Sequence, residues 1–575
     1  DESGTELSFP ASPDPRASVP SPATSISPRL LLRSGRLDES RKLLEGLLGL
    51  EPQDLPDQRV TTFVAHREPL LLLALIYAML GNGARALAMA RRGLLESQQS
   101  GSPLTEAIAH MRTAHAYQVI APLDMAAAGQ HYREALALAQ TTGVTRAKAE
   151  IYLGLTLLQG HSGDLGAAEV AAREGLHMAE TAGDEWTAAL IWLALGGAAA
   201  SMNDRQSLGW LEQAQQRFTR GGDSYGRAVV MLWRALWHLH AGENEPATRQ
   251  VDELLHMVKQ HSYVGLLVAL TLFGPRDMAM LVPLLLRART LKEHSDFAQQ
   301  LLRQAFPSIA GDEAVDDYHP GYTLRVQMLG NFRVWRGRHE IQAREWQREK
   351  ARQLFQLLLT YRGRWLQREQ ICAWLWPDSD LDAAERQFKV TLNALNAALE
   401  PLRPPRTAPF FIRRQGLAYS FAPSYGCWID VDEFELRTSG ILQTDVEFAV
   451  RNSQIAVQIY RGDYLAESLY DPWTLEERER LLARFLATAT MLATRLVDMG
   501  DTEQAVHMCE LVLKRDRCYE EAYQVLMRAY ARGGSRSQAM RSYARCVQAL
   551  NDDLGIEPLP ETTNLFEQVK RNEKI

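Results

Sequence analysis

The sequence predicts a mainly α protein: an N-terminal α-solenoid, a central α+β module and a C-terminal module of further helical repeats. Three observations predict it. Amphipathic helical patterns recur with a period near 40 residues through the first half of the chain. A sharper repeat of 34 residues sits near the C-terminus. Between the two, a stretch of alternating apolar and polar residues interrupts the helical character. A chain of 575 residues, 46% hydrophobic and 23% charged, is ordinary for several soluble globular domains.

In chain order, residues 1–28 are rich in Ser and Pro, poor in aromatics and without a basic stretch ahead of an apolar one. They are expected to be a disordered lead and not a signal peptide. The chain begins at Asp1, without Met, as a fragment or processed product of something longer would. Residues 29–307 are assigned to helical repeats, because turn signals (GNGA at 81–84, SGD at 162–164, MND at 202–204, AGEN at 241–244) separate amphipathic segments. The helices that follow align on Leu94, Leu136, Leu176, Gln215 and Leu254, spaced 42, 40, 39 and 39 residues. Paired helices at that period stack into a solenoid. These repeats resemble the divergent tetratricopeptide-like arrays of signal-transducing ATPase regulators such as the maltose-regulator family. Related large regulators carry an ATPase module ahead of such repeats, so the chain is either a fragment lacking that module or an ATPase-free variant. The longest apolar runs, Leu70–Leu80 and Val264–Phe273, fall short of the ~20 residues of a membrane span and read as buried helix.

The acidic, Gly- and Pro-containing segment 308–321 is expected to be a linker. The following TLRVQMLGNFRVWRGRHEI reads as strands joined at Gly330-Asn331. A first helix places Ala351, Leu354, Phe355, Leu358 and Leu359 on one face and ends at Gly363; a short second helix, QREQICAWLW, stops at Pro377. The third helix is expected to start on a capping-box-like pair, Asp382 and Glu385, and to bury Phe388, Leu392, Leu395 and Leu399. Its opposite face carries Arg386, Lys389, Val390, Asn393, Ala397 and Glu400, with Asn396 on the flank. FFIRRQGLAYSF then reads as a β-hairpin with Arg413, Arg414 and Gly416 near its tip. Strands, three helices and a terminal hairpin make a winged helix-turn-helix over residues 322–422.

Net charge over the whole chain is −7, from 63 basic and 70 acidic residues. Residues 321–421 alone hold 17 Lys/Arg and 9 Asp/Glu, a net of +8, which leaves −15 on the rest. A basic module inside an acidic chain is the electrostatic footprint of nucleic-acid binding. The third helix is of a size the major groove admits, and a basic hairpin can reach the adjacent backbone. The candidate DNA-binding residues are therefore Arg386, Lys389, Val390, Asn393, Asn396 and Ala397 on the third helix, and Arg413, Arg414 and Gly416 on the hairpin. Arg362, Arg364 and Arg368, around the turn between the first two helices, complete the set. Arg and Lys suit phosphate or guanine, Asn suits adenine, and Val390 and Ala397 suit a thymine methyl. Trp346, Trp365, Trp374 and Trp376 are expected in the core.

Near the C-terminus, Gly500-Asp501-Thr502-Glu503-Gln504-Ala505 matches Gly534-Ser535-Arg536-Ser537-Gln538-Ala539 at the tetratricopeptide period of 34. With that repeat, the motifs LRVQMLGNFRVWRG, REKARQLFQLLL, REQICAWLWPD, LNALNAALEP, FIRRQGLAYSF, WIDVDEFE, YRGDYLAE (460–467) and RSYARCVQALNDDLGIEPLPET occur in order over residues 322–571. This region resembles the Streptomyces antibiotic regulatory protein (SARP) family: an OmpR-type winged helix over 322–422, then a bacterial transcriptional activator domain over 428–572. The resemblance implies a transcription activator that binds double-stranded promoter DNA at direct repeats and contacts RNA polymerase holoenzyme. Family members usually carry paired basic residues where this chain has Asn393-Ala394-Leu395-Asn396, which implies weaker binding and an altered base preference.

Enzymatic motifs are absent: no GxxxxGK[ST], HExxH or GxSxG occurs, and GNGARAL at 81–87 lacks the Lys and follows no strand. His238 and His240 stand two residues apart on a helix and face different ways, so no metal is expected there. Cys372, Cys427, Cys509, Cys518 and Cys546 form no CxxC pair, as expected of reduced cytosolic thiols. The expectation is a cytoplasmic transcription regulator with no cofactor and no membrane contact, whose solenoid receives a protein, peptide or small-ligand signal. A homodimer on DNA is one arrangement the sequence allows. The alternative is an interaction scaffold whose winged helix does not bind DNA.

Overall fold

The computed structural model describes residues 27–50, 68–310, 318–421, 426–439 and 446–573. The expected disordered lead lies almost wholly at 1–26, and the acidic part of the expected linker at 311–317; both are outside the described residues. The described chain is mainly α and divides into two units, Asp1–Arg276 and Asp277–Ile575. No helix among the described residues is long and apolar enough to cross a membrane.

The first unit is a run of helices: α1 (Pro28–Arg33), α2 (Leu37–Leu48), α3 (Glu68–Leu80), α4 (Gly83–Gln99), α5 (Pro103–Tyr117), α6 (Met125–Thr142), α7 (Thr145–Ser162), α8 (Leu165–Thr181), α9 (Glu185–Ser201), α10 (Gln206–Gly221), α11 (Ser224–His240), α12 (Asn244–His261) and α13 (Gly265–Val268). From α3 to α12 successive helices pair into hairpins, and the five aligned landmark residues each fall on the second helix of a pair. The boundaries are set locally. Asn82, Asp124, Asp164, Asp184 and Asp223 each accept a hydrogen bond from a backbone N–H of the first turn they open. Small residues let neighbours approach: a Cβ on Gly154 would stand 2.2 Å from the Tyr132 ring. The apolar run Val264–Phe273 buries Leu266, Leu267, Leu272 and Phe273 but is not helical beyond Val268. Its backbone turns extended at Ala269 and crosses the solenoid helices, where Leu272 N donates to Ala78 O and Trp233 Nε1 donates to Phe273 O.

The second unit opens with α14 (Leu281–Arg289), α15 (Ser295–Ala305) and α16 (Pro307–Ala310). An α+β module follows: β1 (Leu324–Gln327), β2 (Arg333–Arg336), β3 (His339–Glu340), α17 (Glu349–Thr360), β4 (Leu366–Gln367), α18 (Arg368–Leu375), α19 (Leu381–Leu399), β5 (Ile412–Gln415) and β6 (Ala418–Phe421). Next come β7 (Cys427–Ile429), α20 (Asp430–Thr438), α21 (Val446–Ile459), α22 (Leu475–Asp498), α23 (Thr502–Arg515), α24 (Glu520–Arg532), α25 (Arg536–Leu554) and α26 (Pro560–Arg571). The 34-residue repeat aligns the starts of α23 and α25, each preceded by a glycine at positive φ, Gly500 and Gly534.

Two sheets frame the α+β module, ordered β3-β2-β1-β7 and β4-β6-β5. The first is antiparallel except at β7, which pairs parallel to β1 in the register Leu324 to Cys427, Arg325 to Trp428 and Val326 to Ile429. A strand from the start of the C-terminal helical region therefore completes the sheet that opens the winged helix. Ala351, Leu354, Phe355, Leu358 and Leu359 of α17 meet Phe388, Leu395 and Leu399 of α19 in a common buried core. Phe355 packs edge-on to Phe421 with ring centroids 5.4 Å apart.

Candidate nucleic-acid interface

The third helix begins earlier than its sequence suggests. Asp380, extended at ψ 157°, caps α19 by accepting from Ala383 N at 2.7 Å. Asp382 lies inside the first turn, and Glu385 accepts instead from Arg368, 2.5 Å away on α18. The start is thus a single Asp cap, and the carboxylate expected to complete a box ties the second helix to the third.

Along α19 the side chains of Arg386, Lys389, Val390, Asn393 and Ala397 are exposed and recur at helical spacing, forming one continuous stripe. Two expected members are not on it. Asn396 is 6% exposed and its Oδ1 finds no hydrogen-bond partner, because it sits beside Leu395 on the core side. Glu400 is also buried: its Oε1 accepts from Phe410 N at 2.9 Å and Phe411 N at 3.0 Å, pinning the loop before the hairpin, and burial pushes its carboxyl upward.

The hairpin β5–β6 closes through Gly416 and Leu417, with Gln415 opposite Ala418. Gly416 takes φ +60°, the positive φ that the first position of a tight two-residue hairpin turn requires. Arg414 is exposed at this tip; its Nε donates to Gly416 O at 2.7 Å and its guanidinium stands 5.8 Å from the Tyr419 ring centre. Arg413 is half-buried on the other face. Strand β4 joins the hairpin through Leu366 opposite Tyr419.

The three arginines around the first turn separate into different environments. Arg364 is exposed. Arg368 is half-buried against Glu385. Arg362 faces away from solvent: its Nε donates to Asp432 Oδ1 at 2.7 Å, with Glu435 3.8 Å from Nη2. Asp432 and Glu435 belong to α20, so Arg362 holds the winged helix against the helical region that follows. That joint has further members. Asp430 accepts from Met328 N at 2.8 Å and Leu329 N at 2.8 Å, and burial pushes its carboxyl up to about 6. Tyr464 and Thr360 share a hydroxyl–hydroxyl hydrogen bond of 2.8 Å, and Arg461 Nη1 donates to Gln327 Oε1.

Internal pairing sorts the basic charge. Arg333 with Glu340, Arg336 with Glu345 and Arg352 with Glu467 neutralise one another around the first sheet and the joint. Arg364, Arg386, Lys389 and Arg414 are exposed cations on or beside α19 and the hairpin, and Arg406 is exposed in the loop between them. Asp378, Asp380 and Asp382 make the opening turn of α19 acidic, so an anion approaching the helix meets favourable charge only from Arg386 onward.

One exposed group escaped the sequence reading. Trp346 and Trp376 are buried and Trp374 stacks on Tyr361, but Trp365 is 46% exposed beside Arg364. The signal was present: Leu366 is the inward residue of β4, so strand alternation turns its neighbour outward. Leu417, also 46% exposed, joins it as an apolar group at the hairpin turn.

Residues 429–570 match the family described as bacterial transcriptional activator domain. The C-terminal helical region is thus similar to that domain, in line with the activator-domain part of the resemblance read from the sequence. No curated protein matches the chain. Among solved structures, Mycobacterium tuberculosis EmbR in complex with a low-affinity phosphopeptide aligns at 20% identity and TM-score 0.39, over 44% of this chain and 66% of that one, just under two thirds of its length. The P58(IPK) TPR domain aligns at 14% identity and TM-score 0.18, over 88% of this chain and 98% of that one. Naa15/Naa10 bound to HypK-THB aligns at 15% identity and TM-score 0.17, over 95% of this chain and 66% of that one.

Proposed function

We propose that the chain is a SARP-type transcription activator that binds double-stranded promoter DNA through α19 and the β5–β6 hairpin. The observation that carries this reading is the exposed stripe Arg386, Lys389, Val390, Asn393 and Ala397, flanked by Arg414 at the hairpin tip. The stripe has the length, polarity and charge of a helix that reads base edges, and the hairpin offers the adjacent backbone contact. Arg364 joins the phosphate contacts; Arg362 and Asn396 do not. The activator domain engages RNA polymerase holoenzyme, and the solenoid takes up a protein, peptide or small ligand. We place the functional divisions of this cytoplasmic regulator at 29–307, 308–321, 322–422 and 428–572. A non-enzymatic role follows from the same reading.

The experiment is selection of bound duplexes from sheared genomic DNA by the purified full chain. Enrichment of a common sequence above a shuffled control supports the proposal; recovery of none contradicts it. One observation favours the scaffold alternative: exposed Trp365 and Leu417, with the acidic opening of α19, resemble a protein-binding surface more than a phosphate-binding one. A partner captured through Trp365 without DNA enrichment would select that reading.

A further inference from the structure

In the first unit a cluster of metal-ligating side chains bridges the hairpin α5–α6, away from the winged helix. His110 of α5 and His131 of α6 approach with Nδ1 to Nδ1 2.8 Å apart. Glu134, one turn beyond His131, places Oε2 2.9 Å from His110 Nδ1 and 3.6 Å from His131 Nδ1. These three atoms form a triangle with edges of 2.8, 2.9 and 3.6 Å. A tetrahedral ion with bonds of about 2.0–2.1 Å requires ligand-to-ligand edges of about 3.3 Å. The triangle needs adjustments of only tenths of an ångström to become one face of such a tetrahedron.

The surroundings fix the ligands. His110 is 8% exposed, anchored on a helix whose Ala107, Met111 and Ala114 pack in the core against Tyr132 and Ala135 of α6. His131 stacks on Tyr117 with centroids 5.7 Å apart, and the Tyr117 hydroxyl accepts from Arg91 at 2.9 Å. Glu106 Oε1 stands 4.0 Å from the far nitrogen of His110, beyond hydrogen-bond distance but on the side from which a carboxylate that closed in would orient a metal-bound imidazole. Glu134 and His131 are partly open to solvent, which leaves an ion a path in and a fourth position for water or an exogenous ligand.

We propose that His110, His131 and Glu134 form a binding site for one divalent d-block cation of the zinc or cobalt class. Two imidazoles and a carboxylate are a borderline N/O set suited to those ions and not to calcium or magnesium, which take all-oxygen shells. Bound there, the ion clips the two helices of one repeat together and couples metal supply to the rigidity of the solenoid.

The test uses the full chain stripped with a chelating resin, titrated with Co²⁺ while visible absorption is followed, then with Zn²⁺ in competition. The site predicts one equivalent of Co²⁺ with N/O-type ligand-field bands, displaced by Zn²⁺. His131→Gln and Glu134→Gln should each weaken that equivalent about tenfold or more, while thermal midpoints in excess chelator stay near that of the parent. Should His131→Gln perturb folding, the more exposed Glu134→Gln carries the comparison. Parent and both variants binding the ion with equal stoichiometry and affinity, or the parent binding none, would overturn the site.

Discussion

Arg362 and Asp432 meet at 2.7 Å, joining the turn after the first helix of the winged module to the opening turn of α20. With the parallel β1–β7 pair and the Asp430 carboxylate on Met328 and Leu329, this contact makes the two modules one packed body.

The pair itself is measurable. Asp432 is about half exposed, so solvent screening limits its worth, and a double-mutant cycle of Arg362→Ala and Asp432→Ala in urea unfolding should return a coupling of about 0.5–1 kcal/mol. A coupling of zero would mean that the shared sheet alone holds the joint.

Asp430 makes the joint sensitive to pH. Its folded value, about 6, lies above the unfolded value, so the protonated form is favoured in the fold. The stability this proton supplies is complete below about pH 4 and is lost as pH rises through about 6. Asp430→Asn cannot titrate. The stability of the parent minus that of Asp430→Asn should fall by up to about 3 kcal/mol between pH 4 and pH 7. A difference that stays flat or rises would show that the backbone donors outweigh burial.

Two glycines of the solenoid should respond oppositely to alanine. At Gly154 a Cβ meets the Tyr132 ring at 2.2 Å, so Gly154→Ala should cost about 1–3 kcal/mol in thermal unfolding. At Gly129 the nearest atoms stand at 3.5 Å, and Gly129→Ala should stabilise by about 0.5–1 kcal/mol through the helix backbone. Equal effects would contradict the close α6–α7 approach.

The two asparagines of α19 should separate in the same way. Asn393→Ala, on the exposed stripe, should change preference at one base position by about 1–3 kcal/mol. Asn396→Ala removes a buried amide whose Oδ1 has no hydrogen-bond partner and should leave base preference alone. Quantitative selection with both variants checks this, and a preference change confined to Asn396→Ala would reverse the assignment of the outward face.

Much of this architecture was legible because it is written locally. The 39-to-42-residue period comes from Asn and Asp caps and positive-φ glycines that any window reveals, and the stripe from Arg386 to Ala397 follows from the 3.6-residue turn. What escaped depends on chain distant in sequence. Val264–Phe273 had the apolar content of a helix, yet a run of that length is equally compatible with a buried loop, and only its bonds to Ala78 and Trp233 decide. The pairing of Arg362 with Asp432, 70 residues on, shows only in the fold. Asn396 sits at the border of two faces, where a single helical step separates solvent from core. His110 and His131 stand on separate helices with no motif spacing between them.

On the proposed reading, the α19 face binds DNA both electrostatically and specifically. The most direct measurement is the affinity of the full chain for its selected duplex against salt, beside Lys389→Ala and Arg414→Ala. Log affinity should fall linearly with log salt, with a slope shallower by about 0.9 for each variant as one phosphate contact is lost. A parent without salt dependence, or variants whose slopes equal the parent's, would contradict it.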